Sequence, residues 1–270
     1  MPSSSTTSLF PALIKHWRNR RGMSQLDLAL TAEVSARHVS FLETGRAQPS
    51  RDMVLRLATA LSVPLRDQNQ LLVAAGHPEA FDEPAEDALA GPIREAVDRM
   101  LAHQEPYPMV VMNRAYDVVL LNRGARDVMS RFVLDPSALG APTNGMALLF
   151  DPRLARPFVL DWPLVARTLL SRLHREVLER PNDAALGALL RSLLDLPDVP
   201  RDWQAPDLAA PSEPILPIRL RRDDLSLAFL TTVTVFNAPQ NVTVEELRIE
   251  CYFPLDDETR RACEALARQT

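Results

Sequence analysis

Lysine is nearly absent: Lys15 is the one lysine among the 30 Lys and Arg side chains, and the rest are arginine. A serine–lysine nucleophile pair therefore has no lysine to draw on beyond residue 15. Cysteine is reduced to Cys251 and Cys263, which fits a reducing compartment better than a disulfide framework. Histidine is sparse, and the residues past the first 76 (His77, His103 and His174) are scattered, so no metal site is expected. His103 and His174 lie in helical, polar-flanked runs and are expected at the surface. Eight glycines leave little room for a phosphate loop or a glycine-rich nucleotide fingerprint, and neither occurs. No cofactor and no enzyme activity are expected. No apolar run reaches roughly 18 residues and no basic-then-apolar leader opens the chain, which predicts a cytoplasmic protein that does not touch a membrane.

What the sequence does have is two halves of opposite charge. Residues 1–76 carry nine basic and five acidic side chains. The remainder carries 21 basic against 30 acidic, giving the net charge of −5 for 270 residues. A basic module joined to an acidic body concentrates the attraction for phosphate at one end.

The basic half reads as five short helices around one core. Leu13, Ile14 and Trp17 are spaced to face inward from a helix near residues 10–21. Ser24 with Asp27 three residues on is a capping-box pattern, and Ser35 is an N-cap for the following helix, which Gly45 ends. About four residues, Thr31 to Val34, separate these two helices, so they turn sharply and pack through Leu28, Ala29, Val39 and Leu42. Ser50 caps a fourth helix carrying Val54, Leu57 and Leu61, and Pro64 starts a fifth that ends at Gly76. The tight pair is a helix-turn-helix whose second helix fits a DNA major groove.

Ser24-Gln25, Leu28-Ala29, Val34-Ser35, Val39-Ser40, Leu42-Glu43, Gly45-Arg46 and Pro49-Ser50 together resemble the signature of Cro/repressor-type (Xre-like) DNA-binding domains, over residues 9–76. The resemblance implies a structural ion pair between Arg18 and Glu43. Glu33 stands where that family usually has glycine. A left-handed residue there costs about 1 kcal/mol, which predicts a reshaped turn.

Double-stranded DNA is the partner expected for this half. With Val39 and Leu42 facing inward, Ala36, Arg37, Ser40 and Phe41 fall on other faces of the recognition helix. Arg37, near its N-terminus beside the capping Ser35, is the candidate base reader, because a guanidinium can grip guanine O6 and N7 together. Phe41 either touches thymine methyl groups or flanks the core. Gln25 is placed to hold a phosphate with free backbone N–H groups, and Arg46 and Arg51 to neutralise phosphates beside the groove.

Residues 77–105 read as an acidic linker followed by a connector or dimer helix over 92–103. Residues 106–270 read as a second domain. Pro106 to Asn122 gives two apolar strands around an Arg114-Ala115 turn. Pairing Asn113 with Tyr116 puts Met109, Val111, Val118 and Leu120 on one face. Helices follow at 162–179, capped by Asp161, and after Asn182 or Asp183. Strands then run over 215–220, 225–236 and 247–253, with Leu247, Ile249, Cys251 and Phe253 alternating against Arg248, Glu250 and Tyr252. The expected fold is α+β, a five-stranded antiparallel sheet with helices on one face.

The Tyr107-Pro108, Asn113-Arg114, Asp117 and Asn122 segment, with Phe150-Asp151-Pro152 and Asp161-Trp162, resembles the ligand-binding half of MmyB-like transcription regulators, and the element order is similar to a PAS-like domain. The resemblance implies an apolar, fatty-acid-like effector in a cavity between sheet and helices. The candidate lining is Val111, Val118, Leu120, Phe150, Trp162, Leu247 and Ile249, which serve equally as solid core. Leu121 and the Pro-rich stretch after Trp203 depart from that family's pattern. Since one recognition helix reads only a few base pairs, a homodimer is expected. The sequence thus predicts an effector-responsive transcription regulator. The alternative is a DNA-bound scaffold whose second domain docks a protein.

Overall fold

The computed structural model describes residues 9–85, 91–180, 183–205 and 217–269. They form two compact units, one reaching to Pro84 and including Phe236–Glu245, the other comprising Ala85–Val235 and the chain from Glu246 on.

The first unit holds α1 (Phe10–Arg20), α2 (Gln25–Thr31), α3 (Ala36–Glu43), α4 (Arg51–Ala60) and α5 (Leu65–Ala74). Their starts are fixed locally. Ser24 Oγ accepts the Asp27 N–H while the Ser24 N–H donates to Asp27, closing the capping box. Ser35 and Ser50 accept the N–H groups of His38 and Met53. Gly45 ends α3 at φ +71, a backbone that a side chain would strain. Phe10, Ile14, Trp17, Leu28, Val39, Leu42, Val54, Leu57 and Leu71 are buried in one core. The turn between α2 and α3 is not reshaped: Glu33 adopts φ +53, the left-handed conformation that glycine would take without strain.

This unit does not stop at Gly76. Asn69, 5% exposed, accepts the N–H groups of Ala80 and Phe81 and donates to the Phe81 carbonyl, fastening the chain beyond α5. Arg66 pairs with Glu83. A distant segment completes the unit through α11 (Val242–Glu246). Within it Val242 and Val244 are buried, and the Val242 N–H donates to Asp82 O at 2.9 Å. The Glu245 carboxylate accepts the Leu65 N–H at 2.8 Å. The N-cap of α5 is Pro64, which has no side-chain acceptor, so Glu245 supplies what the local sequence cannot.

The second unit opens with α6 (Pro92–Gln104) and contains a sheet of β1 (Met109–Met112), β2 (Val118–Leu121), β3 (Ile218–Arg222), β4 (Leu225–Thr234) and β5 (Arg248–Pro254). The strand order is β2-β1-β5-β4-β3, antiparallel throughout. Strand β3 begins later than the expected 215, and residues 215 and 216 lie outside the described residues, as does Asn182. Between β2 and β3 come α7 (Arg123–Arg131), α8 (Gly145–Phe150), α9 (Trp162–Glu179) and α10 (Ala184–Leu194), and α12 (Asp257–Gln269) follows β5. Phe150 packs edge-on to Trp162 at 4.8 Å in a core with Val165, Leu170, Leu173 and Phe229.

Three local expectations change. The β1–β2 register is Val110↔Leu121 and Val111↔Leu120, two residues away from the pairing of Asn113 with Tyr116, and Met112↔Val118, one residue away. The cause is a wider loop: the Asn113 N–H donates to Asp117 O and the Tyr116 N–H to Asn113 O, with Tyr116 at φ +68. A bulge between Val111 and Met112 then moves Val118 onto the face of Met112. Asp161 does not cap α9; it sits at φ +54 with no capping bond, and its carboxylate pairs with Arg219. His103 is exposed as expected, whereas His174 is half-buried, edge-on to Trp203 at 5.1 Å. Among the described residues no helix is long and apolar enough to cross a membrane.

Candidate DNA-reading face and ligand cavity

Capping by Ser35 orients α3 so that Val39 and Leu42 are buried while Arg37 stays exposed. The Arg37 guanidinium lies over the Phe41 ring, 5.2 Å from its centroid. Phe41 is half-buried and lies outside the core cluster, so it serves as a platform that holds the guanidinium near the helix start. Ala36 packs partly against the core, and Ser40 is half-buried with its carbonyl accepting the Thr44 hydroxyl at 2.8 Å. Arg46, just past α3, and Arg51, the first residue of α4, are both exposed.

Gln25 is placed differently from the phosphate-holding role. Its amide donates to Glu43 at 2.8 Å, so its side chain belongs to an internal network. Arg18 grips the same carboxylate in a fork, Nε at 2.6 Å and Nη2 at 3.1 Å, and donates to Met23 O at 2.7 Å. Both charged residues are 9% exposed. Burial alone would raise the Glu43 pKa, but the bonds from Arg18 and Gln25 outweigh it and hold the carboxyl below its ordinary value. The network ties α1 and α2 to the end of α3 and fixes how the recognition helix is presented.

The second unit contains a cavity of about 120 Å³ between the sheet and α7, α8 and α9. Most of its wall is apolar, with Val110, Met112, Val118, Met129, Met146 and Leu169 contributing. One region is polar. There Tyr116, Arg172, Glu250 and Tyr252 line it. The Tyr116 hydroxyl donates to Glu176, which also takes two bonds from Arg248 at 2.9 and 2.8 Å. The Tyr252 hydroxyl donates to Glu250 at 3.1 Å. Burial, then the adjacent Glu250 carboxylate, pushes the Tyr252 phenol well above its ordinary value, and burial raises Tyr116 as well, so both remain neutral donors.

Of the candidate lining residues, only Val118 reaches the cavity, carried there by the bulge. Val111 and its partners Leu120 and Ile249 lie on the opposite face of the sheet, since neighbouring Val110, Met112 and Glu250 are the ones that line the cavity. Leu247 is buried just before β5. Phe150 and Trp162 are core residues that pack edge-on to each other.

A family model described as the MmyB-like transcription regulator ligand binding domain matches residues 93–266, well over half of the chain. The chain belongs to that family. A helix-turn-helix family model matches residues 14–68 of this MmyB-like regulator, the stretch from α1 into α5. Together they make it a DNA-binding transcription regulator with a ligand-binding domain. No curated protein matches its sequence. A solved RNA-binding light-oxygen-voltage receptor is similar over 99% of this chain and 64% of that one, at 11% identity and a TM-score of 0.26, too low to bear on fold or function.

The polar residues of the regulator's cavity escaped the sequence reading. In β5 the alternation of Ile249 and Cys251 with Glu250 and Tyr252 was visible, but a polar face is ordinarily assigned to solvent. Here Glu250 and Tyr252 point into the domain. Arg172 carried a signal too: it falls between Leu169 and Leu173, on the side of α9 that faces inward.

Proposed function

We propose that this MmyB-like regulator binds a specific operator as a homodimer and changes its operator affinity when a small, apolar, fatty-acid-like effector enters the cavity of a PAS-like second domain. One observation carries the reading: the same chain holds an exposed, capped recognition helix with a ring-supported arginine and a separate, largely apolar cavity with a polar region. Arg37 reads a base and Ser40 and Phe41 follow the groove. Arg46 and Arg51 bind phosphates, with Ser35 and Ala36 fixing the start of the helix. Gln25 acts through its position at the start of α2, since its amide is engaged by Glu43. Two recognition helices spaced one helical turn apart supply the specificity that one lacks.

The cavity is smaller than the ~300–1,000 Å³ that drug-sized ligands occupy. An effector of any length must therefore displace wall side chains. Met112, Met129 and Met146 line it, and unbranched thioethers re-pack more readily than other apolar residues. An open cavity favours a sensor over a scaffold, whose domain would fill the same space with side chains. The effector alters transcription only through a difference in affinity for two forms of the dimer.

The test begins with selecting oligonucleotides from a random pool. Anisotropy titrations on the winning and on scrambled duplexes follow, at several salt concentrations, with and without an acyl ligand. A ligand-dependent change confined to the selected duplex is expected. Equal changes on both duplexes refute the coupling, because non-specific binding follows phosphate neutralisation alone.

A further inference from the structure

We propose that the segment Phe236–Glu245 is a strap that carries the state of the second unit into the DNA-reading unit. The inference rests on the reading of the second domain as a sensor, and it names the route of the signal rather than the ligand. The main chain passes between the units after Pro84, after Val235 and again after Glu245. The last two of these crossings are the ends of cavity strands. Strand β4 gives Phe229 and Thr231 to the cavity wall and enters the strap through Val235. Strand β5 gives Glu250 and Tyr252 and begins just beyond the strap's far end.

Inside the first unit the strap is fastened by backbone and side chain. The Val242 N–H donates to Asp82 O at 2.9 Å, the Thr243 hydroxyl to Pro84 O at 2.5 Å, and the Leu65 N–H to the Glu245 carboxylate at 2.8 Å. Val242 and Val244 are buried. Pro84 is the last residue before the first crossing, so that crossing is tied to the strap as well. The next residue after Glu245 is held elsewhere: Glu246 lies 3.7 Å from Arg114, which pairs with Asp183 at 2.7 Å in the second unit. Of two adjacent carboxylates, one is therefore held by each unit. From the strap the way to DNA is short, because Glu245 completes the start of α5, α5 packs on α1, and α1 packs on the recognition helix α3. Strands β4 and β5 are paired from Phe229 to Thr234, so a shift of the cavity wall moves both ends of the strap together. A segment packed into a core answers such a shift by changing state, not by bending continuously. A strap that only completed the first unit would stabilise it and do nothing more. A coupling strap must also let DNA binding be felt in the cavity strands, since coupling between sites is reciprocal.

The experiment uses that reciprocity and the full chain, with the selected operator duplex as its probe and no effector. Hydrogen exchange of the free and the operator-bound protein is read at the amides of Leu227–Thr231 and Glu250–Phe253, which lie within the second unit. Two variants unfasten the strap. Thr243→Val with Glu245→Ala removes its side-chain bonds, and a Gly-Ser-Gly-Ser insertion after the exposed Ala238 adds slack while leaving them in place. Far-UV circular dichroism establishes that each is folded, and the insertion carries the test should the double variant not fold. Operator binding is expected to slow exchange at those amides by at least about fivefold in the unmodified protein and by less than about twofold in the variants, with operator affinity kept within about threefold. Exchange in the cavity strands that ignores the operator overturns the proposal, and so does a slowing that survives in a folded variant. In both cases the sensor reading stands, because the ligand titrations on the selected duplex decide it separately. If those titrations show no response while the strands still answer to the operator, the sensor reading falls and the strap remains as a coupling element.

Discussion

Removing the Glu43 side chain tests whether the Arg18–Glu43–Gln25 network holds the DNA-binding unit together. Glu43→Ala deletes the acceptor of three bonds at 2.6, 3.1 and 2.8 Å and leaves Arg18 with only the Met23 carbonyl. The guanidinium cannot turn to water, because its residue is 9% exposed. Orphaning one member of a buried pair costs about 3–5 kcal/mol, a large share of the ~5–15 kcal/mol that holds a small domain. Glu43→Gln keeps one uncharged acceptor and should cost about 2 kcal/mol. Rescue is expected as well. Replacing both partners with apolar residues, Arg18→Met with Glu43→Leu, should recover most of the loss, because what is expensive is the uncompensated charge. Native-state hydrogen exchange on peptides spanning α1 and α3 reports this unit separately from the other. Exchange in α3 should accelerate by between about two and four orders of magnitude in Glu43→Ala. An acceleration under about fivefold, or a double variant no better than Glu43→Ala, would falsify the argument.

Four further outcomes follow from the same geometry. Arg37→Ala should weaken binding to a selected operator by about 1–3 kcal/mol and relax one base position, read by anisotropy on single-base operator variants; unchanged discrimination removes Arg37 as the base reader. Glu33→Gly should raise thermal stability, since the left-handed strain of about 1–2 kcal/mol exceeds the roughly 0.4–1 kcal/mol of extra unfolded-state freedom; a lower melting temperature contradicts this. Ser35→Ala should destabilise α3 by about 1 kcal/mol in urea unfolding, whereas Ser35→Gly should cost only a few tenths. The Glu43 carboxyl is held low in the folded chain, so its stabilisation is complete above the ordinary carboxylate value of about 4.3 and fades as pH falls through the lowered one. Acid unfolding of Glu43→Gln should accordingly be flatter with pH than that of the unmodified protein.

The helical unit was legible because its information is local. Ser24, Ser35, Ser50 and Gly45 mark helix ends within three or four residues of what they cap, and the core positions follow one period. Glu33 shows the limit of that logic: the residue argued for a changed turn, but its backbone is left-handed regardless, with the next N–H, that of Val34, bonded back to Ala29 O. In the second unit the strands were readable as apolar runs, yet their register was not. The loop from Asn113 to Tyr116 and a single bulge decided which of Val111 and Val118 meets the cavity, and neither leaves a periodic trace. Helices α7, α8 and α12 went unread: α8 is six residues long, and α7 and α12 are rich in arginine and acid. Alternation in β5 separated two faces correctly but could not say which one looks inward.

The bond from Glu245 to the start of α5 has a consequence for the order in which the protein matures. A ribosome releases α1 to α5 early, some 180 positions ahead of the carboxylate that completes them. Throughout that interval the first amide of α5 lacks its acceptor, and the Asp82 carbonyl lacks the N–H that Val242 will bring to it. A nascent or truncated chain is thus left with an unfinished reading head, and a gene fragment cut near residue 84 encodes less than one domain.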